Sequence, residues 1–304
     1  MPKSAPSRIV PLLCLAGTVF FWGTSFAATK VALDSFSPMA VIWLRMAVAT
    51  LAFLPFWRLV PRPEYRAGDW RLLALAAVCI PCLYYLLEGF AVRFTTSGQA
   101  GVISAIVPLI VAAGAWMFLN ERLTWQGGVA IAASLVGVAV LSSTGLVQET
   151  APHPVLGNLL ELAAMIAAAG SMLAIKHLSA RYNPWLLTGM QAVVGAVFFA
   201  PLLLATPSTD WTAATAAAWV SVAYLGTFAS LGAFGLYNTA LKGMPATRAA
   251  LSLNLIPAVA VFAGWAVRDE AMLPVQLAAC ALIVGAVVFG EVAGRVPAEE
   301  DYPR

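Results

Sequence analysis

Charge is scarce in this chain: Asp, Glu, Lys and Arg make up only 10% of its 304 residues. Ordinary soluble domains carry about 25%, so a water-facing globular surface is excluded. Histidine occurs twice, at His153 and His177, which the topology below assigns to opposite membrane faces. A metal site needs more ligands than that, and none is expected. No GxxxxGK[ST] loop occurs and no polar stretch is long enough for a soluble domain, which excludes ATP as the direct energy source. Strand-period alternation is missing, which sets aside a β-barrel. Cysteine is limited to Cys14, Cys79, Cys82 and Cys280, all within apolar runs. Only Cys79-Ile80-Pro81-Cys82 has the spacing of a membrane thiol-disulfide redox enzyme. That pair falls near the middle of a run with no second couple to serve it, and the cysteines read as small apolar packing residues. Neither a cofactor nor enzymatic chemistry is expected.

What is present is apolar. Hydrophobic residues reach 61% and mean hydropathy is +0.86, against an apolar content of about 45–50% in soluble domains. The runs are long enough for helices to cross ~30 Å of hydrocarbon at ~1.5 Å per residue. Their breaks give an all-α integral membrane protein of ten transmembrane helices, over 9–30, 39–57, 71–92, 98–118, 126–145, 156–177, 184–204, 214–238, 248–267 and 273–292. The polar tail Arg295–Arg304 is expected to be disordered. The first thirty residues have the form of a secretory signal, with Lys3 and Arg8 before an apolar core. The same segment recurs inside the chain, where a signal peptide has no place. Basic residues fix the orientation. With a cytoplasmic N-terminus, thirteen of the seventeen Lys and Arg fall on inner segments, Lys30, Arg93 and Arg268 on outer ones, and Arg45 within a span. Both termini are then cytoplasmic, and the net charge of +3 reflects this bias and not nucleic-acid binding.

The chain also repeats itself. At an offset of 146, Ser25 meets Ser171, Lys30 meets Lys176, Pro38 meets Pro184, Pro55 meets Pro201, and Arg45 falls on Gln191. At an offset of 149, Ala91 meets Ala240, Pro108 meets Pro257 and Glu121 meets Glu270, with the insertion between the two offsets around Thr206–Thr212. The halves are 9–147 and 154–292, followed by a cytoplasmic tail over 293–304. Five spans per copy make the second copy enter the membrane from the opposite side. Inverted repeats of this kind place a site near the midplane, where the halves expose it alternately.

Trp22-Gly23-Thr24-Ser25-Phe26 through Lys30, Pro108 followed by Asn120-Glu121-Arg122-Leu123-Thr124 and Gly137, and the second version in Pro257, Glu270 and Gly285 together resemble the drug/metabolite transporter superfamily, specifically its EamA-type ten-helix permeases. The resemblance runs from about residue 10 to 292. The second copy departs from the pattern, with Ala168-Ala169-Gly170 at the place of Trp22-Gly23-Thr24 and Asp269-Glu270-Ala271-Met272 at that of Asn120-Glu121-Arg122-Leu123. The resemblance implies a multi-pass permease of the bacterial-type inner membrane, exporting small organic metabolites such as amino acids. It implies a central cavity lined by helices 1, 3, 4, 6, 8 and 9, with Trp22, Ser25, Gln99, Ser104, Tyr237, Asn238 and Asn254 as lining residues.

The residues themselves add candidates. An ionisable group within a span costs about 2.5–3.5 kcal/mol on insertion scales, so it faces the bundle interior or a cavity. Arg45, Glu88, Glu161 and, less deeply, Lys30 are such groups. Tyr84 and Glu88 stand i, i+4 on one helical face, with Tyr85 beside them. They offer a phenol and a carboxylate to a guest, or Glu88 simply neutralises Arg45 or Lys30. Transport then draws on the substrate's own gradient, an exchanged solute or protons, and Glu88 or Glu161 is a candidate protonatable group for an antiport cycle. Asn238 and Asn254 suit interhelical hydrogen bonds as well as ligand contact. Pro108 and Pro257 suit a bend or hinge, and Glu121 and Glu270 suit capping of neighbouring helix N-termini. Ala133 with Gly137 and Ala281 with Gly285 form small-residue faces for close packing within the chain or in a homodimer. A channel, the remaining class, needs a polar file through both leaflets, whereas the charged candidates cluster in one half.

Overall fold

The computed structural model describes residues 9–61, 63–118, 124–143, 151–206, 211–270 and 273–293. They are almost wholly helical. We number the helices α1 Ile9–Leu33, α2 Pro38–Leu59, α3 Asp69–Phe94 and α4 Ser97–Phe118, then α5 Trp125–Ser143, α6 Pro154–Leu178, α7 Pro184–Leu204 and α8 Ala216–Gly243. α9 runs as Ala246–Ser252, a turn at Leu253–Leu255 and Ile256–Arg268, and α10 is Pro274–Ala293. Seven of these, α1–α4 and α6–α8, are long and apolar enough to cross a membrane. Their outward faces carry exposed large apolar residues such as Leu13, Phe20, Leu51, Trp116 and Val197. A surface of that kind in a chain of this composition faces lipid, not water.

The helix ends follow from local chemistry. Ser37 caps α2 by accepting from the Ala40 amide, and Pro38 follows at the first turn; Asn183 and Pro184 do the same for α7 through the Trp185 amide. Proline there has no amide to waste, since the first-turn N–H groups have no intrahelical partner. α8 extends five residues beyond the expected 238 because Lys176 Nζ donates to Leu241 O at 2.8 Å and Met244 O at 2.6 Å, satisfying carbonyls at its end.

The backbone departs from α-geometry at matching places in the two halves. α3 widens into a π-turn over Val78–Leu83, with Ile80 extended (φ −130°, ψ 122°) before Pro81. α8 widens over Leu225–Gly232. Tight turns at Ser104–Ile106 in α4 and Leu253–Leu255 in α9 stand at the 149-residue offset, each just before a proline, Pro108 or Pro257. Each proline therefore lies in the first turn of a fresh helical segment, where its missing N–H breaks no hydrogen bond.

Packing shows the same correspondence. α1 lies against α8 and α9, while α6 lies against α3 and α4; α2 packs on α8, and α7 on α3. α2 meets α7, α4 meets α9, and α5 meets α10. The small-residue face of α10 is not part of the last contact: a side chain at Gly285 would meet open space. Where helices do press together, a glycine is required. At Gly157 of α6 a Cβ would fall 2.8 Å from the Thr95 amide nitrogen and 2.9 Å from Ala91 O, both backbone atoms of the α3 end.

Gly157→Ala is expected to destabilise the protein by about 1–3 kcal/mol, the usual cost of overpacking. Gly128→Ala, where a Cβ meets nothing within 4 Å, is expected to leave the thermal midpoint in detergent unchanged or slightly raised.

Candidate functional site

A cavity of about 30 Å³ lies between the helices. α1 contributes Trp22, Ser25 and Phe26, α3 Ile80 and Tyr84, α4 Ser104 and Val107, and α6 Met165, Ala168 and Met172. α8 adds Phe234, α9 adds Leu253 and Ile256, and α2 adds Arg45. Both halves thus supply walls, mostly apolar, with a few polar groups at set points. That composition suits a small organic guest held by shape and oriented by few polar contacts.

The polar wall is a closed network. Arg45 and Glu88 are each 3% exposed and paired, Nη1 to Oε2 at 3.1 Å. The Tyr84 hydroxyl donates to Glu88 Oε1 at 2.8 Å. Arg45 Nε donates to Ser230 Oγ at 2.9 Å, and the Tyr85 hydroxyl donates to the same oxygen at 3.3 Å. The guanidinium lies over the Tyr85 ring, 4.4 Å from its centroid, a favourable cation–π placement. The network explains how an arginine and a glutamate are held within spans: each charge is neutralised and hydrogen-bonded where water is scarce.

Side chains also close the carbonyls freed by the two wide turns. Gln191 Nε2 of α7 donates to Ile80 O at 2.9 Å, and Trp22 Nε1 of α1 donates to Ala229 O at 3.1 Å. Ile80 and Ala229 are equivalent at the 149-residue offset, and Pro81 corresponds to Ser230. Arg45 and Gln191, equivalent at 146, thus both reach the broken third helix of the other half. Trp22 lines the cavity and holds its wall in one act, with its ring against Phe234 at 4.6 Å and Tyr237 at 5.4 Å.

Other candidates stand apart from the cavity. Gln99 joins a buried cluster with Thr95 and Asn158, where the Thr95 hydroxyl lies 2.9 Å from Gln99 Oε1 and 2.8 Å from Asn158 Oδ1. Asn238 Nδ2 donates to Thr188 Oγ1 at 2.9 Å, linking α8 to α7. Tyr237 is buried behind Trp22, and its hydroxyl meets no partner among the described residues. Glu270 takes the backbone amides of Ser97 and Gly98 at 3.1 Å each and the Ser97 hydroxyl at 2.7 Å, capping α4. Glu121 and the Asn254 side chain lie outside the described residues. Glu161 is 0% exposed, and neither of its oxygens meets a hydrogen-bond partner among the described residues. Cys79 and Cys82 are free thiols, and Cys79 Sγ lies 3.1 Å from where a Cβ on Gly170 would be. Lys30, Arg93 and Arg268, the three cations that charge bias assigns to one face, line a single cleft with Asp34, which pairs with Arg268. Ser230, Met165 and Met172 carried no signal in the sequence: a lone serine and two methionines in apolar runs gain meaning only from what faces them.

A model of the EamA-like transporter family matches the chain twice, over residues 9–143 and 155–290. An uncharacterized transporter of Archaeoglobus fulgidus is 30% identical over 253 residues, 83% of this chain and 88% of that one. A probable terminal-alkyne amino-acid exporter of Streptantibioticus cattleyicolor is 29% identical, covering 90% of each chain. A crystal structure of a protein 19% identical in sequence superposes with a TM-score of 0.71, over 95% of this chain and 99% of that one, a likeness of fold alone.

Breaking the buried ion pair from one side leaves the other charge uncompensated. Arg45→Met or Glu88→Leu alone is expected to cost about 3–5 kcal/mol. The double variant is expected to cost clearly less than the sum of the two, as read by chemical unfolding in detergent.

Proposed function

The chain belongs to the EamA-like transporter family, and on that premise we propose that it is a ten-helix secondary transporter whose two five-helix halves are inserted in opposite directions. It resides in a bacterial-type inner membrane with both termini cytoplasmic. It exports small organic metabolites, amino acids among them, by alternating access through the central cavity. The observation that carries this reading is the matched pair of broken helices, α3 and α8, flanking one cavity walled by both halves. Interrupted helices at the midplane, related by an internal repeat, are the arrangement in which rocking of one half against the other opens a fixed site to each side. The exchange of helix neighbours between the halves supports the repeat. The charge bias supports the orientation. The amino-acid reading draws on the relative named as a probable terminal-alkyne amino-acid exporter.

Within the cavity, Phe26, Phe234, Met165 and Met172 hold the apolar part of the solute, and Trp22 offers a ring face. Arg45 and Tyr84 supply the polar end, already held in place by Glu88 and Ser230. Such preorganisation reduces the ordering cost of binding. Wide turns in α3 and α8 give each half a place to bend without stripping backbone groups of partners, since Gln191 and Trp22 cover the freed carbonyls.

A thermal-shift screen of the detergent-solubilised protein across amino acids, nucleobases, sugars and cationic drugs tests the substrate class. A true ligand at ~100-fold its Kd is expected to add about 2.7 kcal/mol of stability. Phe234→Ala is expected to remove most of that shift and to slow transport of the same compound in proteoliposomes. Stabilisation by sugars or nucleobases but by no amino acid removes the amino-acid reading.

A further inference from the structure

Among the described residues, Glu161 is the one buried carboxylate whose oxygens meet no hydrogen-bond partner, and it stands outside the cavity wall. It lies on the face of α6 that opposes α3 in antiparallel register, set by Gly157 against Ala91 and Thr95 at one end and by Ser171 Oγ donating to Ala76 O at 3.2 Å at the other. Glu88 and Tyr84 are the ionisable side chains that act on it electrostatically. Of the other helices packed on α6, α4 and α5 contain no Asp, Glu, Lys, Arg, His or Tyr. α8 brings Tyr224, Tyr237 and Lys242, and α9 brings Arg248 and Arg268. Arg45 is already matched by Glu88, so no cation within that network answers a second negative charge.

Two facts define what such a group can bind. No hydrogen-bond donor among the described residues reaches either oxygen, and an ionised carboxylate deprived of donors in an apolar interior is very costly. Moreover, Glu161 does not line the cavity, so an organic solute in the cavity does not touch it. A proton needs no cavity, and intramembrane carboxylates with this isolation serve as proton carriers. Met165, one turn along α6 from Glu161, and Tyr84, bonded to Glu88, both line the cavity.

We propose that Glu161, and not Glu88, is the proton-binding site that couples this transporter to the proton gradient. In the conformation described, Glu161 carries a proton as a neutral acid while Glu88 is paired with Arg45. The proton enters from the outer solution when the cavity faces out and leaves to cytoplasmic water when it faces in, opposite to the exported solute. Occupancy of the cavity is communicated through Tyr84, whose hydroxyl is shared between the cavity wall and Glu88. The coupling role rests on the transport reading above; the protonation of Glu161 does not.

Infrared difference spectroscopy of the full-length protein in lipid vesicles, stepped between acidic and alkaline pH, tests the site without any solute. At neutral pH the wild type is expected to show the carbonyl stretch of one protonated carboxylic acid. That band is expected to vanish in Glu161→Gln, to shift in Glu161→Asp and to persist in Glu88→Gln. Monodisperse elution of each variant secures the comparison, and the Asp variant reads the site even if the Gln variant fails to fold. A band that survives Glu161→Gln, or that is absent from the wild type at neutral pH, overturns the assignment. With the band assigned to Glu161, pyranine-loaded vesicles given a stabilising amino acid from the thermal screen read coupling. Solute-dependent proton flux that falls at least tenfold in Glu161→Gln supports it, and undiminished flux refutes it. Should no amino acid stabilise the protein while the band behaves as expected, the substrate reading fails and the proton site stands.

Discussion

Inside a bilayer every polar group must find its partner within the protein, and this requirement shapes the whole molecule. The chain breaks α3 and α8 near their middles, which frees carbonyls inside the bundle. Gln191 and Trp22 answer at equivalent carbonyls, Ile80 O and Ala229 O. The same requirement ties Arg45 to Glu88, Ser230 and the Tyr85 ring. The groups that make the cavity polar are thus the groups that keep its walls intact. A substitution aimed at ligand contact at Trp22 or Arg45 also removes a structural partner, so stability must be measured beside transport.

The two stretches matched by the family model differ in residue type at corresponding places. Where one half breaks α3 with Pro81, the other widens α8 around Ser230 with no proline at the break. Where one offers an arginine at position 45, the other offers a glutamine at 191. The cavity wall is asymmetric: Arg45, Tyr84 and Trp22 come from the first half, and Met165, Met172 and Phe234 from the second. A solute with unlike ends fits such a cavity better than a symmetric one. The apolar exterior is the complement of this arrangement, because lipid rewards no polar group on the outside.

Much of this was legible in the sequence. Apolar run lengths place the helix bounds within a few residues. Tyr84 and Glu88 one turn apart announce their hydrogen bond, and Arg45 is one of the two cations the sequence offers Glu88. The turns before Pro108 and Pro257 were signalled by those prolines, though as bends in continuous helices and not as restarts. The break at Ile80 was signalled by Pro81 but hidden behind the cysteine spacing around it. The widening of α8 had no signal, since Gly226 and Gly232 are ordinary in membrane helices. Partners across helices, such as Ser230 for Arg45 or Thr188 for Asn238, depend on tertiary registration that no single span encodes.

The central claim is that the halves are inserted in opposite directions, and equivalent loops test it most directly. Ser35 in the α1–α2 loop and Ala180 in the α6–α7 loop sit 145 residues apart, at nearly equivalent places in the two halves. Single cysteines at these positions, in a background with Cys14, Cys79, Cys82 and Cys280 replaced, can be probed in intact cells with a membrane-impermeant thiol reagent. The account predicts labelling at position 35 and none at position 180 until the membrane is opened. Labelling of both, or of neither, from one side of the membrane contradicts it.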